Sequence, residues 1–162
     1  MMPRSWKSKL ILCVQFSLLL AFAVVVFLTR RHEMFRGEQI VGVFLLLTGV
    51  VVVSAAVVAY QKTMGTLHVK VTPDPAEHGE LITSGIYSKI RHPFYAATPL
   101  ILTGAMLVLQ KPWCMVVIIC TIPLLFWKSS YEEQLLEQKF PSYATYRLRT
   151  GRFLPRLLRQ KF

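Results

Sequence analysis

Four uncharged apolar stretches dominate this sequence: Leu10 to Leu28, Ile40 to Tyr60, Phe94 to Gln110 and Pro112 to Trp127. The first two, of 19 and 21 residues, match the roughly 20 residues an α-helix needs to cross about 30 Å of hydrocarbon. The last two, of 17 and 16, are separated only by Lys111. They predict a tight helical hairpin that spans with snorkelling ends or enters re-entrantly, and either way returns the chain to the side it left. Composition agrees, because 54% of the 162 residues are hydrophobic and the mean hydropathy is +0.47, more than a water-soluble core needs. The expected fold class is all-α: a polytopic membrane helical bundle of about four transmembrane helices with a C-terminal interfacial helical tail. A single domain covers 1–162, with helices at about 10–29, 40–60, 94–110 and 112–139.

Charge sets the expected orientation. Of the 19 Lys and Arg, 15 fall before the first stretch, between the second and third, and after the fourth, against 4 in the alternate segments. By the positive-inside rule this multi-pass chain has both termini and the central loop in the cytoplasm. The net charge of +11 then reads as topology plus attraction to anionic lipid headgroups. Nucleic-acid binding is disfavoured, since the basic residues adjoin membrane segments rather than forming a soluble basic domain. The N-terminal run resembles a signal peptide in its basic start, but it is too long and lacks a small-residue cleavage site, so it is expected to be an anchor. Cys13, Cys114 and Cys120 lie inside apolar stretches without CxxC spacing, which supports neither a disulfide framework nor a metal site.

Small residues in the second stretch (Gly42, Gly49, Ser54, Ala55, Ala56, Ala59) and in the third (Thr103, Gly104, Ala105) suit close helix packing in lipid. The polar segment from Thr72 to Glu80 reads as a surface connection, and Pro93 fits the first turn of the third helix. Beyond Trp127 the fourth helix is expected to continue as a polar extension to Lys139, followed by a basic and aromatic tail suited to headgroups. Three clusters therefore meet one boundary: Arg91-His92-Pro93-Phe94-Tyr95, Glu132-Glu133, and Tyr143 to Arg152. Taken alone, each has a structural explanation as an interfacial anchor, a solvated helix face or a headgroup contact. The hairpin, however, makes the first two neighbours in space.

The ordered set is more specific than its parts. Gly85-x-Tyr87, Arg91-His92-Pro93-x-Tyr95, Glu132-Glu133, Phe140, Tyr143, Tyr146 and Arg152-Phe153-x-Pro155 resembles the isoprenylcysteine carboxyl methyltransferase and phospholipid methyltransferase superfamily of integral membrane methyltransferases. The likeness covers about half the chain, from Leu81 to Pro155. Ala96-Ala97 stands where many relatives carry glycine, and Pro141 replaces a common glycine. The resemblance implies an S-adenosylmethionine-dependent methyltransferase whose cofactor-binding portion is about 81–156. It places cofactor contacts on Gly85, Tyr87, His92, Tyr95, Glu132, Glu133 and Tyr146, and catalytic roles on His92, Arg152 and Glu133, with no metal.

The residue chemistry suits that implication. Methyl transfer is an in-line displacement, so the protein chiefly aligns donor and acceptor and excludes water. Carboxylates can hold the cofactor's ammonium or ribose hydroxyls and an arginine its carboxylate. The leading acceptor is the carboxylate of a prenylated cysteine, already ionised at neutral pH and needing only orientation by Arg152 or Arg147. An ethanolamine headgroup would need His92 or a glutamate to take a proton, and a small thiol also stays open. The lipid-like acceptor would enter from the bilayer. A reading of another class is a non-catalytic lipid-binding or partner-binding module. Sterol reductases carry a similar C-terminal segment, but this chain is short for their helix count and has no Gly-rich dinucleotide fingerprint.

Overall fold

A computed structural model describes residues 37–64 and 80–156, together with the single helical positions Ser17, Leu20 and Val24. The expected helix at about 10–29 otherwise lies outside the described residues, as does most of the central connection. The described chain is helical: α1 is Gly37–Met64, α2 is Pro93–Val108, α3 is Met115–Lys139 and α4 is Tyr143–Arg149. Short 3-10 turns, η1 at Gly85–Ser88 and η2 at Pro112–Cys114, precede α2 and α3. Among the described residues there is no strand, and the β-type pairing is a parallel bridge between Ile90 and Gly151.

Among the described residues two helices, Gly37–Thr63 and Pro112–Lys139, are long and apolar enough to cross a membrane. The first is apolar all round, and only 17% of its most apolar eighteen-residue window is buried. Ile40, Val41, Phe44, Leu47, Val50 and Val51 all project outward, each more than half exposed. In water that surface would be a large unpaid apolar patch, whereas hydrocarbon accepts it without cost. On α3 a second outward stripe runs through Val116, Ile119, Ile122 and Phe126. The sixteen-residue α2 is shorter than a span and lies packed against α1.

What holds α1 to α2 is backbone proximity. Gly42, Gly49 and Ala56 recur every seven residues on the buried side of α1, and Ala97 and Gly104 do so on α2, the spacing that keeps a seam between two helices. A Cβ on Gly104 would sit 2.7 Å from the Gly42 carbonyl oxygen and 2.8 Å from the Leu46 amide nitrogen; one on Gly49 would sit 2.5 Å from Ile101 Cγ1. Lipid supplies no hydrophobic drive for helix association, so this closeness, with the Gln39 Nε2 donation to the Val108 carbonyl (3.0 Å), carries the packing. Ser54, expected on the same face, is exposed instead.

The predicted hairpin forms, with a tighter turn than the apolar run suggested. α2 ends at Val108 rather than Gln110, because Gln110 adopts a left-handed φ of 53° and the Lys111 amide donates back to the Met106 carbonyl at 3.0 Å. α3 is then laid against α2 over a core of Leu102, Met106, Cys114 and Ile118. Among the described residues, tail helicity is confined to Tyr143–Arg149. With α1 antiparallel to α2 and α2 to α3, the end of α1, η1, the start of α2, the polar end of α3 and the tail all meet at one end of the bundle. The Gly104→Ala variant is expected to lose about 1–3 kcal/mol through forced separation of α1 and α2, read as a lower unfolding midpoint in detergent; an unchanged midpoint would remove glycine contact as the basis of the seam.

Candidate active site

The polar end is organised by the loop entering α2. His92 caps the helix and Pro93 occupies its first turn, where the missing N–H costs nothing. The backbone just before it is pinned by the tail: Arg91 and His92 amides donate to the Gly151 and Arg152 carbonyls at 2.9 and 3.0 Å, and the Gly151 amide donates to the Lys89 carbonyl at 3.0 Å. Gly151 admits nothing larger, since a Cβ there would lie 1.7 Å from the Leu154 carbonyl oxygen. The tail is thus folded back over the mouth of the α2–α3 hairpin.

At the centre is Glu133, 2% exposed on α3. Its Oε1 accepts from Arg91 Nε at 2.9 Å and faces His92 Nε2 at 3.1 Å. Its Oε2 accepts from Arg152 NH2 at 2.9 Å, with Arg147 Nε at 3.8 Å. Arg91 continues to the Arg147 carbonyl (3.1 Å) and the Thr150 carbonyl, and Arg152 NH1 reaches Ser130 Oγ at 3.0 Å. A buried carboxylate is costly unless every lone pair is answered, and here the entry to α2 and the tail answer it at once.

Glu132, one residue earlier, faces about 100° around the helix into a different setting. Its side chain is 27% exposed, and Oε2 accepts the Tyr95 hydroxyl at 2.9 Å while lying 3.4 Å from His92 Nδ1. The His92 and Tyr95 rings are stacked at 5.3 Å, and Lys128 Nζ lies 5.1 Å from the Tyr95 ring centroid. Among the described residues these contacts fall on Oε2, which leaves Oε1 for a ligand. Phe153 closes the side toward the bilayer, 6.2 Å from the His92 ring and edge-on to Phe126 at 4.9 Å.

His92 is buried, which by itself would lower its pKa, but the hydrogen bonds and charges of Glu132 and Glu133 outweigh burial and raise it above 6.5. Both ring nitrogens face carboxylate oxygens, an arrangement that only the doubly protonated ring satisfies with two donors. Burial pushes the Tyr146 phenol up to about 12, so it stays a neutral donor; its hydroxyl donates to the Tyr87 carbonyl at 2.7 Å. Through that bond η1 is tied to α4.

His92, Tyr95, Glu132, Glu133 and Arg152 therefore come together from three separated segments, with Tyr87 and Tyr146 joined beside them. Gly85 has a left-handed φ of 58° and touches Ala59, so its identity is accounted for by the turn over α1. Taken alone in the sequence, Arg91 reads as an interfacial anchor; Lys128, Ser130 and Thr150 were not singled out. The Arg-His-Pro run was the available signal for Arg91. The pairing of 89–92 with 151–152 has too few residues to show a period.

Comparison with known proteins gives one family: the phospholipid methyltransferase family matches residues 38–142. That match runs from α1 to the end of α3, stopping at Ser142 just before α4, and contains both glutamates. No curated protein and no solved structure matches the chain significantly.

Replacing Glu133 by Gln removes the counter-charge from Arg91, Arg152 and His92, and is expected to destabilise the protein by about 3 kcal/mol, measured as a shift in unfolding midpoint with loss of tail protection against protease. Glu132→Gln, with a more exposed side chain, should cost less than half of that. Because the folded value of His92 is raised, its contribution is fully present below pH 6.5 and is lost as pH rises through the folded value. The stability gap between the parent protein and His92→Gln should accordingly narrow with rising pH; a gap that widens would contradict the assigned charge state.

Proposed function

The chain belongs to the phospholipid methyltransferase family, and from that premise we propose that it transfers a methyl group from S-adenosylmethionine to a lipid-like acceptor at the cytoplasmic face of a membrane. The reading includes a multi-pass topology with both termini in the cytoplasm. The observation that carries it is the pairing of two unlike carboxylates: Glu133 sealed among cations, and Glu132 with one oxygen left to a ligand. The donor set fits the cofactor. Glu132 Oε1 suits its ammonium or ribose hydroxyls, and the Tyr95 and His92 rings offer a face for a planar base. When bound, S-adenosylmethionine supplies a sulfonium methyl whose displacement leaves a neutral thioether.

The protein's own residues then orient the acceptor and exclude water. For the leading acceptor, the carboxylate of an isoprenylated cysteine, Arg152 at the edge of the Glu133 cluster supplies the orienting charge, and no proton has to move. The charge state of His92 supports this choice: with both nitrogens directed at carboxylates, the ring has no lone pair with which to accept a proton. His92 then acts by holding Glu132 and Glu133 in place. A second reading, methylation of an ethanolamine headgroup, is favoured by the family's own description. In that case Glu132 takes the proton from the ammonium.

The test is the full chain in nanodiscs with methyl-labelled S-adenosylmethionine and prenylcysteine, phosphatidylethanolamine or a small thiol. A base-labile label on prenylcysteine is the expected result, and a base-stable label on phosphatidylethanolamine would replace the first reading by the second. Loss of one charge-assisted hydrogen bond in Glu132→Gln should lower cofactor affinity about 10- to 100-fold. Absence of both cofactor binding and label transfer would leave the non-catalytic lipid-binding module as the surviving reading.

A further inference from the structure

The tail arginines enclose a second space. On the side of Glu133 away from Glu132 lies a cleft of about 600 Å³, lined by Arg91, Arg147, Arg152 and Arg156, with Glu137 the one acid among its lining residues. Glu133 and Glu137 stand one turn apart on the same face of α3. His92, Tyr95 and Glu132 are not part of this lining, and Glu133, bonded to Arg91 and Arg152 of the lining and to His92 outside it, stands between the cleft and those residues. Four guanidiniums meet two carboxylates, Glu133 beside the cleft and Glu137 in its wall, which leaves a surplus of two positive charges.

The Arg152 edge of the cleft stands at headgroup height, and its Glu137 wall lies beyond that layer. Trp127, half-exposed, marks the interface as aromatic residues do. Ser130, held by Arg152, is three residues further along α3, and Glu137 is ten further, or about 5 and 15 Å at 1.5 Å per residue. The headgroup layer occupies roughly the first 5–8 Å of that distance. The tail beside the cleft dips to the apolar boundary, where Phe153 packs on Phe126 and Leu154 is 76% exposed. An acyl chain and its headgroup would thus meet the apolar tip and the arginines in sequence.

Guanidinium forks match phosphate oxygens bidentately. Among the described residues Arg147 is engaged through Nε and NH1, by Glu133 and Glu137, and Arg156 through NH1, by the Leu148 carbonyl. Both therefore keep NH2 for an incoming oxygen. We propose that this cleft is a subsite for the phosphodiester of an anionic membrane lipid, separate from the methyl-donor site. It does not depend on methyl transfer, and its failure would leave the enzyme reading untouched.

The probe is phosphatidylglycerol in phosphatidylcholine nanodiscs holding the full chain, with preferential retention of phosphatidylglycerol as the readout. At about 1 kcal/mol per arginine near the surface, Arg147→Gln/Arg156→Gln should weaken retention roughly 30-fold. Lys62→Gln/Lys89→Gln, which removes the same charge from exposed positions outside the cleft, should stay within about twofold. Should the arginine pair fail to fold, Arg156→Gln alone reads the effect at about fivefold. Equal losses in the two pairs would reduce the effect to diffuse attraction and overturn the proposal. Displacement of the lipid by S-adenosylmethionine would assign the cleft to the methyl donor, and displacement by millimolar inorganic phosphate would make it a free-phosphate site; either result overturns it.

Discussion

The buried carboxylate of Glu133 is the constraint on which the polar end depends. Removing an ion from water costs several kcal/mol, and the cost is recovered only when geometry and hydrogen bonds are nearly complete. Here completion requires Arg91 from the entry to α2, His92 from its cap and Arg152 from the tail. None of these is near Glu133 in sequence, so meeting its demand fixes the relative position of three segments. A hydrophobic residue in its place could give comparable stability, but it would not dictate which arginine lies where. The contribution of the cluster is therefore registry.

Registry matters because the rest of the bundle supplies little of it. α1 and α3 face lipid over much of their surface, and in lipid an apolar side chain gains nothing by turning inward. The seam of Gly42, Gly49 and Ala56 against Ala97 and Gly104 fixes how near α1 and α2 approach. It leaves the arrangement of the polar end to hydrogen bonds and charge. The two devices divide the work by solvent: close backbone contact within hydrocarbon, ionic closure beyond it.

The division also explains what could be read from the residues. Apolar run length gave the helices of the described region to within a few positions, and the single Lys111 between two runs gave the hairpin, hence the meeting of Arg91-His92-Pro93 with Glu132-Glu133. The unlike roles of the two glutamates were not legible, because adjacent helical residues point about 100° apart and no pattern says which direction is inward. Nor was the return of residues 150–152 to residues 89–92, since a bridge of one residue pair leaves no alternation to detect. Arg91 looked like an interfacial anchor because its partner lies 42 positions away.

The folded-back tail has a consequence for the order of events during synthesis. Chains fold as they emerge, N-terminal parts first, and the helices before Lys139 hold all the apolar length needed for insertion. The β-type bridge to Ile90 and the Arg152 contact to Glu133 both await residues past Thr150. Until those residues arrive, Glu133 lacks one of its cations and the start of α2 lacks its backbone acceptors. Integration into the bilayer and maturation of the polar end are thus separate events, and the second waits for the last few residues of the described chain.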